Sequence, residues 1–115
     1  MAGKRPTVVE RKIAKMWPDG DPEEIKAILA GYGQGESAWG RRRVHLAVLK
    51  LCDGDLAKLG RYVEMANRDY RDVVAFAEYP EAMRLGFVEM ANLSDAEAKA
   101  VRRRDKQQYQ RWLKA

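Results

Sequence analysis

The sequence predicts an all-α fold, a compact single-domain bundle of about five to six short helices with antiparallel or orthogonal packing. Three observations carry that prediction. Helix-start signals recur along the chain: Thr7-Val8-Val9-Glu10 and Ser94-Asp95-Ala96-Glu97 have the capping-box spacing. In that motif a hydroxyl accepts from a backbone N–H three residues on, and the glutamate accepts from the cap's own N–H. Asp21-Pro22-Glu23-Glu24 adds a cap, a proline whose missing N–H is harmless there, and acids at the positive helix end. Apolar residues recur at spacings of three and four with no strand-like alternation, and 115 residues suit one domain that buries roughly two thirds of its unfolded surface.

The first helix is expected from about Val8 to Trp17, with Val9, Ile13, Met16 and Trp17 on one broad face, and Pro18-Asp19-Gly20 breaks it. The second starts at Asp21, carries the stripe Ile25, Ile28, Leu29 and Tyr32, and ends in a loop at Gly31, Gly33 and Gly35. The third, about Ser37 to Cys52, is the most apolar. Val44, Ala47, Val48 and Leu51 share one face while Leu46 and Leu49 point the other way, the pattern of a central helix. Asp53-Gly54 supplies its stop.

Asp55 caps a fourth helix with Leu56, Leu59, Gly60 and Val63 on one face. Gly60 costs about 1 kcal/mol against alanine there, and a closely approaching neighbour would explain it. Asp69 either caps a fifth helix, Tyr70 to about Tyr79, or lies in one continuous helix across Asn67–Asp69. Pro80 marks the next boundary, and 81–93 reads as a turn or short helix ending in a loop. The last helix, 95–114, has Ala98, Val101, Tyr109 and Trp112 on its inner stripe. The whole chain, 1–115, forms one domain in this reading, with residues 1–6 flexible.

Composition is that of a soluble globular protein, 46% hydrophobic and 34% charged. No apolar run approaches the roughly 20 residues of a membrane span. The basic start Met1-Ala2-Gly3-Lys4-Arg5-Pro6 is followed by no hydrophobic stretch, so no secretory signal is expected. Cys52 is the only thiol, which fits a reducing cytoplasm. The net charge of +5 is distributed in blocks: residues 1–15 and 95–115 are basic, whereas 18–36 and 53–89 are net acidic. The C-terminal block alone is long enough to form a basic patch unaided.

The segment Asp69-Tyr70-Arg71-Asp72-Val73-Val74-Ala75-Phe76-Ala77-Glu78-Tyr79-Pro80 resembles the signature of a family of small, uncharacterised bacterial proteins. The upstream stretch Arg43-Val44-His45-Leu46-Ala47-Val48-Leu49-Lys50-Leu51 is similar to the same group. The resemblance spans roughly residues 21–85. It implies a bacterial, helical protein of unassigned function and brings no catalytic or binding residues.

Among candidate sites, His45 and Cys52 lie seven residues apart on one helix, about 10 Å along its axis, too far to act as nucleophile and base. One of each also falls short of a zinc ligand set. Cys52 reads as a small buried hydrophobe and His45 as a packed or boundary residue. Asp69 and Asp72, one turn apart, have the spacing to share a divalent cation, but capping and the helix dipole explain both without a metal. Arg71 and Glu78, two turns apart, have partners elsewhere in the bundle in this reading. Arg41, Arg42 and Arg43 point 100° apart, so at most two meet one phosphate; internal salt bridges, with Glu23 and Glu24 as plausible partners, are the better reading. Gly31-Tyr32-Gly33-Gln34-Gly35 follows a helix and lacks the lysine and hydroxyl of a phosphate loop.

The last helix gives the sharpest signal. Lys99, Arg102, Arg103 and Lys106 line one face together with Gln110, opposite Val101 and Trp112, with Arg104 and Arg111 flanking. Such a row follows a nucleic-acid backbone in a salt-sensitive way, or is a solvated outer face. Asp105 and Gln108 interrupt the apolar side, which argues against a membrane-surface helix.

Three functions follow, in order of preference. The first is a small cytoplasmic helical module that docks on a protein partner or on itself, using aromatics near helix boundaries such as Trp39, Tyr79 and Phe87 and predicting a contiguous apolar patch. The second is a nucleic-acid binder using Lys99, Arg102, Arg103 and Lys106, helped by Lys4, Arg5, Arg11 and Lys12 if the two ends of the chain converge. The third is an enzyme with an acidic site around Asp69, Asp72 and Glu78, which needs a pocket and a shifted carboxylate. No catalytic residue, cofactor or metal is assigned.

Overall fold

A computed structural model of the protein describes residues 5–33 and 40–115. These form an all-α bundle of six helices, α1 (Val8–Met16), α2 (Pro22–Leu29), α3 (Arg41–Cys52), α4 (Leu56–Glu78), α5 (Pro80–Asn92) and α6 (Asp95–Lys114), with no strand among the described residues. No described helix is long and apolar enough to cross a membrane.

The local start signals operate as the sequence predicts. Thr7 Oγ1 accepts from the Glu10 amide at 3.1 Å while Thr7 N donates to Glu10 Oε1 at 3.0 Å, and Ser94 and Glu97 repeat the exchange at the head of α6. Asp21 accepts from the Glu23 amide, with Pro22 at the first helical position of α2. Asp55 accepts from the Ala57 and Lys58 amides. α3 begins at Arg41 behind a left-handed Gly40 that offers no side-chain cap; the expected start at Ser37, and Trp39 with it, lies outside the described residues. At the far end of α3, Asp53 and Gly54 both take positive φ, 49° and 81°.

α4 resolves the one-or-two-helix question as two helical halves joined at Asp69, whose φ of −157° and ψ of 95° are extended. The Asp69 carboxylate accepts from the Arg71 amide at 3.1 Å, so the residue caps the second half. Of the turn or short helix expected at 81–93, the structure has helix: the 13 residues of α5, divided into two short pieces at Gly86 with φ 84° and ψ 171°, a conformation that essentially only glycine adopts.

α3 is the centre of the core. Val44, Ala47, Val48, Leu49 and Cys52 are fully buried, against Ile13 of α1, Ile25 and Leu29 of α2, and Leu59, Val63, Val73 and Ala77 of α4. Each such aliphatic side chain contributes about 1.5–3 kcal/mol of transfer free energy. The close approach expected at Gly60 is absent: a β-carbon there would meet nothing within 4 Å. The tight contact belongs to Gly31, where an added β-carbon would sit 3.0 Å from Val63 Cγ1, letting the end of α2 settle on α4.

α5 supplies no residue to this core, and α6 reaches it through Trp112 near its C-terminal end. The molecule is accordingly elongated, 53 × 30 × 26 Å with a radius of gyration of 15.7 Å, against about 13 Å for a compact chain of this length. Lys12 fastens α1 to the end of α6. The residue is only 4% exposed, and its ammonium donates to the Trp112 and Ala115 carbonyls and sits 4.4 Å from the Trp112 ring centroid. A cation at a helix C-terminus meets the negative end of the dipole, which offsets part of the burial that lowers its pKa.

Candidate functional site

α5 and α6 form a helical hairpin whose geometry depends on two polar residues that face inward. Pro80 opens α5, but the residue at its cap position, Tyr79, makes no side-chain cap. The missing acceptor comes from α6. Asp105, 1% exposed, accepts from the Glu81 amide at 2.9 Å and the Ala82 amide at 3.1 Å. One turn on, Gln108 Nε2 lies within donating distance of the Ala77 and Glu78 carbonyls, 3.3 and 3.4 Å, where α4 ends. Asp105 and Gln108 therefore complete the α4–α5 corner from outside, and Glu81 Oε1 accepts from Arg104 Nε at 3.0 Å beside it. Sequence reasoning treated both residues as interruptions of an apolar face. Polar residues on an otherwise apolar inner stripe, here a buried Asp105 and a half-buried Gln108, are the signal that they had partners.

Past this corner, α5 presents an apolar side with nothing packed over it. Phe87 is 97% exposed and Val88 75%, with Tyr79 and Met83 also exposed. Between the two helices lies a groove of about 690 Å³ whose wall includes Tyr79, Met83, Gly86, Phe87 and Met90, with Arg102 on the α6 side. Gly86, where α5 breaks, and the adjoining Phe87 both line it.

The basic residues singled out on α6 are placed as the helical wheel requires. Lys99, Arg102, Arg103 and Lys106 are all exposed and none forms an ion pair among the described residues. α1 does reach the end of α6, through Lys12 against Trp112 and Ala115, but that contact consumes Lys12 rather than presenting it. Arg5 and Arg11 are exposed, and Lys4 lies outside the described residues. Tyr109 and Trp112 stack on each other, centroids 5.8 Å apart and planes at 16°, both partly buried.

A second cleft, about 590 Å³, is lined by Arg41, Arg42, Arg43, Leu46, Glu78 and Tyr109. The salt bridge expected for the arginine run with Glu23 and Glu24 is replaced by another. Arg43 forks onto Glu78, Nε to Oε2 and Nη2 to Oε1, both 2.7 Å, while Glu23 meets Lys26. Arg43 is raised further above its ordinary pKa, chiefly by the hydrogen bond to Glu78. Burial, with the Glu78 charge beside it, pushes the Tyr109 hydroxyl up to about 12.

The three acids weighed for catalysis are engaged separately. Asp69 pairs with Arg71 at 3.0 Å, and that hydrogen bond holds its carboxyl below the ordinary range. Glu78 belongs to Arg43, and Asp72 is exposed. Asp69 and Glu78 are nine positions apart along α4, roughly 13 Å by helical rise. No group of three His, Cys, Asp or Glu residues that could hold a metal occurs among the described residues. Cys52 is buried, its thiol 3.2 Å from the Leu49 carbonyl and its pKa raised by desolvation. His45 Nε2 lies 2.9 Å from the Tyr32 carbonyl, its ring edge-on to Tyr32. Comparisons with known protein families, with curated proteins and with solved structures give no match to the chain.

Proposed function

We propose that the protein is a small cytoplasmic helical interaction module that docks a polypeptide on the open face of α5. One observation carries this: α5, without a single buried residue, exposes Met83, Phe87 and Val88, with Tyr79 exposed just before it. Isolated apolar residues on a surface are ordinary, but several close together beside a groove mark an interaction site. Fully burying a phenylalanine contributes roughly 1.5–3 kcal/mol to whatever covers it. The test is photocrosslinking in cells with a benzophenone amino acid at position 87 and, as control, at the exposed Lys58. Polypeptide adducts from 87 and none from 58 are expected; an absence of polypeptide adducts at 87 removes the proposal.

Nucleic-acid binding is the second reading, favoured by the four exposed cations Lys99, Arg102, Arg103 and Lys106. It predicts binding to short single strands or duplexes that weakens steeply with salt and collapses when Arg102, Arg103 and Lys106 become glutamine. No binding at low salt removes it.

A further inference from the structure

The open groove has two chemically distinct parts. Its α5 side is apolar and pliant: Met83 and Met90 line it together with the projecting Phe87, in a volume of about 690 Å³. Methionines are unbranched and polarizable and repack around anchors of different shape. Although α5 breaks at Gly86, Met83 before the break and Phe87 and Met90 after it line the same groove, as the anchors of a groove that receives a helix do. The rim on the α6 side is cationic. Lys99, Arg102 and Lys106 are three and four residues apart and so lie in one row, with the middle member lining the groove. All three are exposed, and none forms an ion pair among the described residues. The other α6 residue lining the groove, Asp105, is an acid, but its carboxylate is 1% exposed and held on the amides of Glu81 and Ala82.

We infer, building on the docking role proposed above, that the groove between α5 and α6 takes an acidic amphipathic helix of a partner protein, its apolar stripe against Met83, Phe87 and Met90 and its carboxylates against Lys99, Arg102 and Lys106. An acidic helix covers both parts at once. A nucleic-acid strand would meet the cations but leave the thioether side uncovered. A second copy of this chain would bring a net charge of +5 toward an already cationic rim.

The experiment is selection of a displayed library of helical peptides of about four turns, with an apolar stripe fixed and the flanking positions randomised, on the full chain at low salt. The expected winners carry Asp and Glu on their flanks. Their affinity falls about tenfold or more in Phe87→Ser, and again in the double variant Arg102→Glu, Lys106→Glu. Both changes fall on exposed side chains, so circular dichroism and melting of the variants are expected to match the parent.

Winners with neutral or basic flanks, or binding indifferent to Phe87→Ser, overturn the inference. So does a dimer of the full chain in sedimentation that dissociates in Phe87→Ser, or an RNA oligomer whose binding needs Phe87. If the inference fails while position 87 still crosslinks to a polypeptide, the docking role stands and only the acidic partner is wrong. Loss of both removes the two together.

Discussion

Asp105 shows how much one side chain of this protein does for its neighbours. Buried to 1% exposure, it holds the Glu81 and Ala82 amides at the head of α5. Asp105→Ala leaves two donors without their acceptor and is expected to cost about 2–3 kcal/mol in chemical denaturation, with faster amide exchange at 81 and 82. A second residue-scale prediction concerns Tyr109, whose hydroxyl is pushed up to about 12 by burial and by Glu78. Because the folded chain keeps this proton at a pH where the unfolded chain loses it, the associated stability is complete below about pH 10 and is lost as pH rises toward about 12. Melting temperatures measured across that window are expected to fall less steeply in Tyr109→Phe. Neither role was legible from the sequence, since both depend on residues more than twenty positions away.

At the scale of helices, stability follows from burial and caps in ways that single substitutions expose. Val48, fully buried in α3, is expected to cost roughly 1–3 kcal/mol on change to alanine, and Asp21→Ala about 1 kcal/mol through the lost cap on α2. Gly60→Ala runs the other way. With helical backbone and open space at its β-carbon, it is expected to stabilise the protein by about 0.5–1 kcal/mol in the same assay. Caps were legible because Thr7, Asp21, Asp55 and Ser94 bond within three residues of themselves. The break at Asp69 was ambiguous because the same aspartate fits a cap or an exposed helical position. α5 could be read no further than as a turn or short helix because its head is completed by Asp105 from another helix and its middle is broken at Gly86.

Across the whole molecule, a core of α1 to α4 carries a less protected hairpin. Amides of α5 are expected to exchange through local openings well before those of α3, which report global unfolding; equal protection in hydrogen exchange would contradict the division. The central place of α3 was readable from apolar residues on both its sides, and the basic row of α6 from its spacing. The groove was not, because its walls come from two helices whose mutual angle no local pattern fixes; only the exposed-looking Tyr79 and Phe87 hinted at it. The remote cap also gives the chain a timetable. During synthesis Pro80 and Glu81 emerge first, and the carboxylate that completes the head of α5 lies 24 residues downstream of Glu81. Until it has left the ribosome, the nascent α5 has an open end, so the α4–α5 corner closes only after much of α6 has emerged.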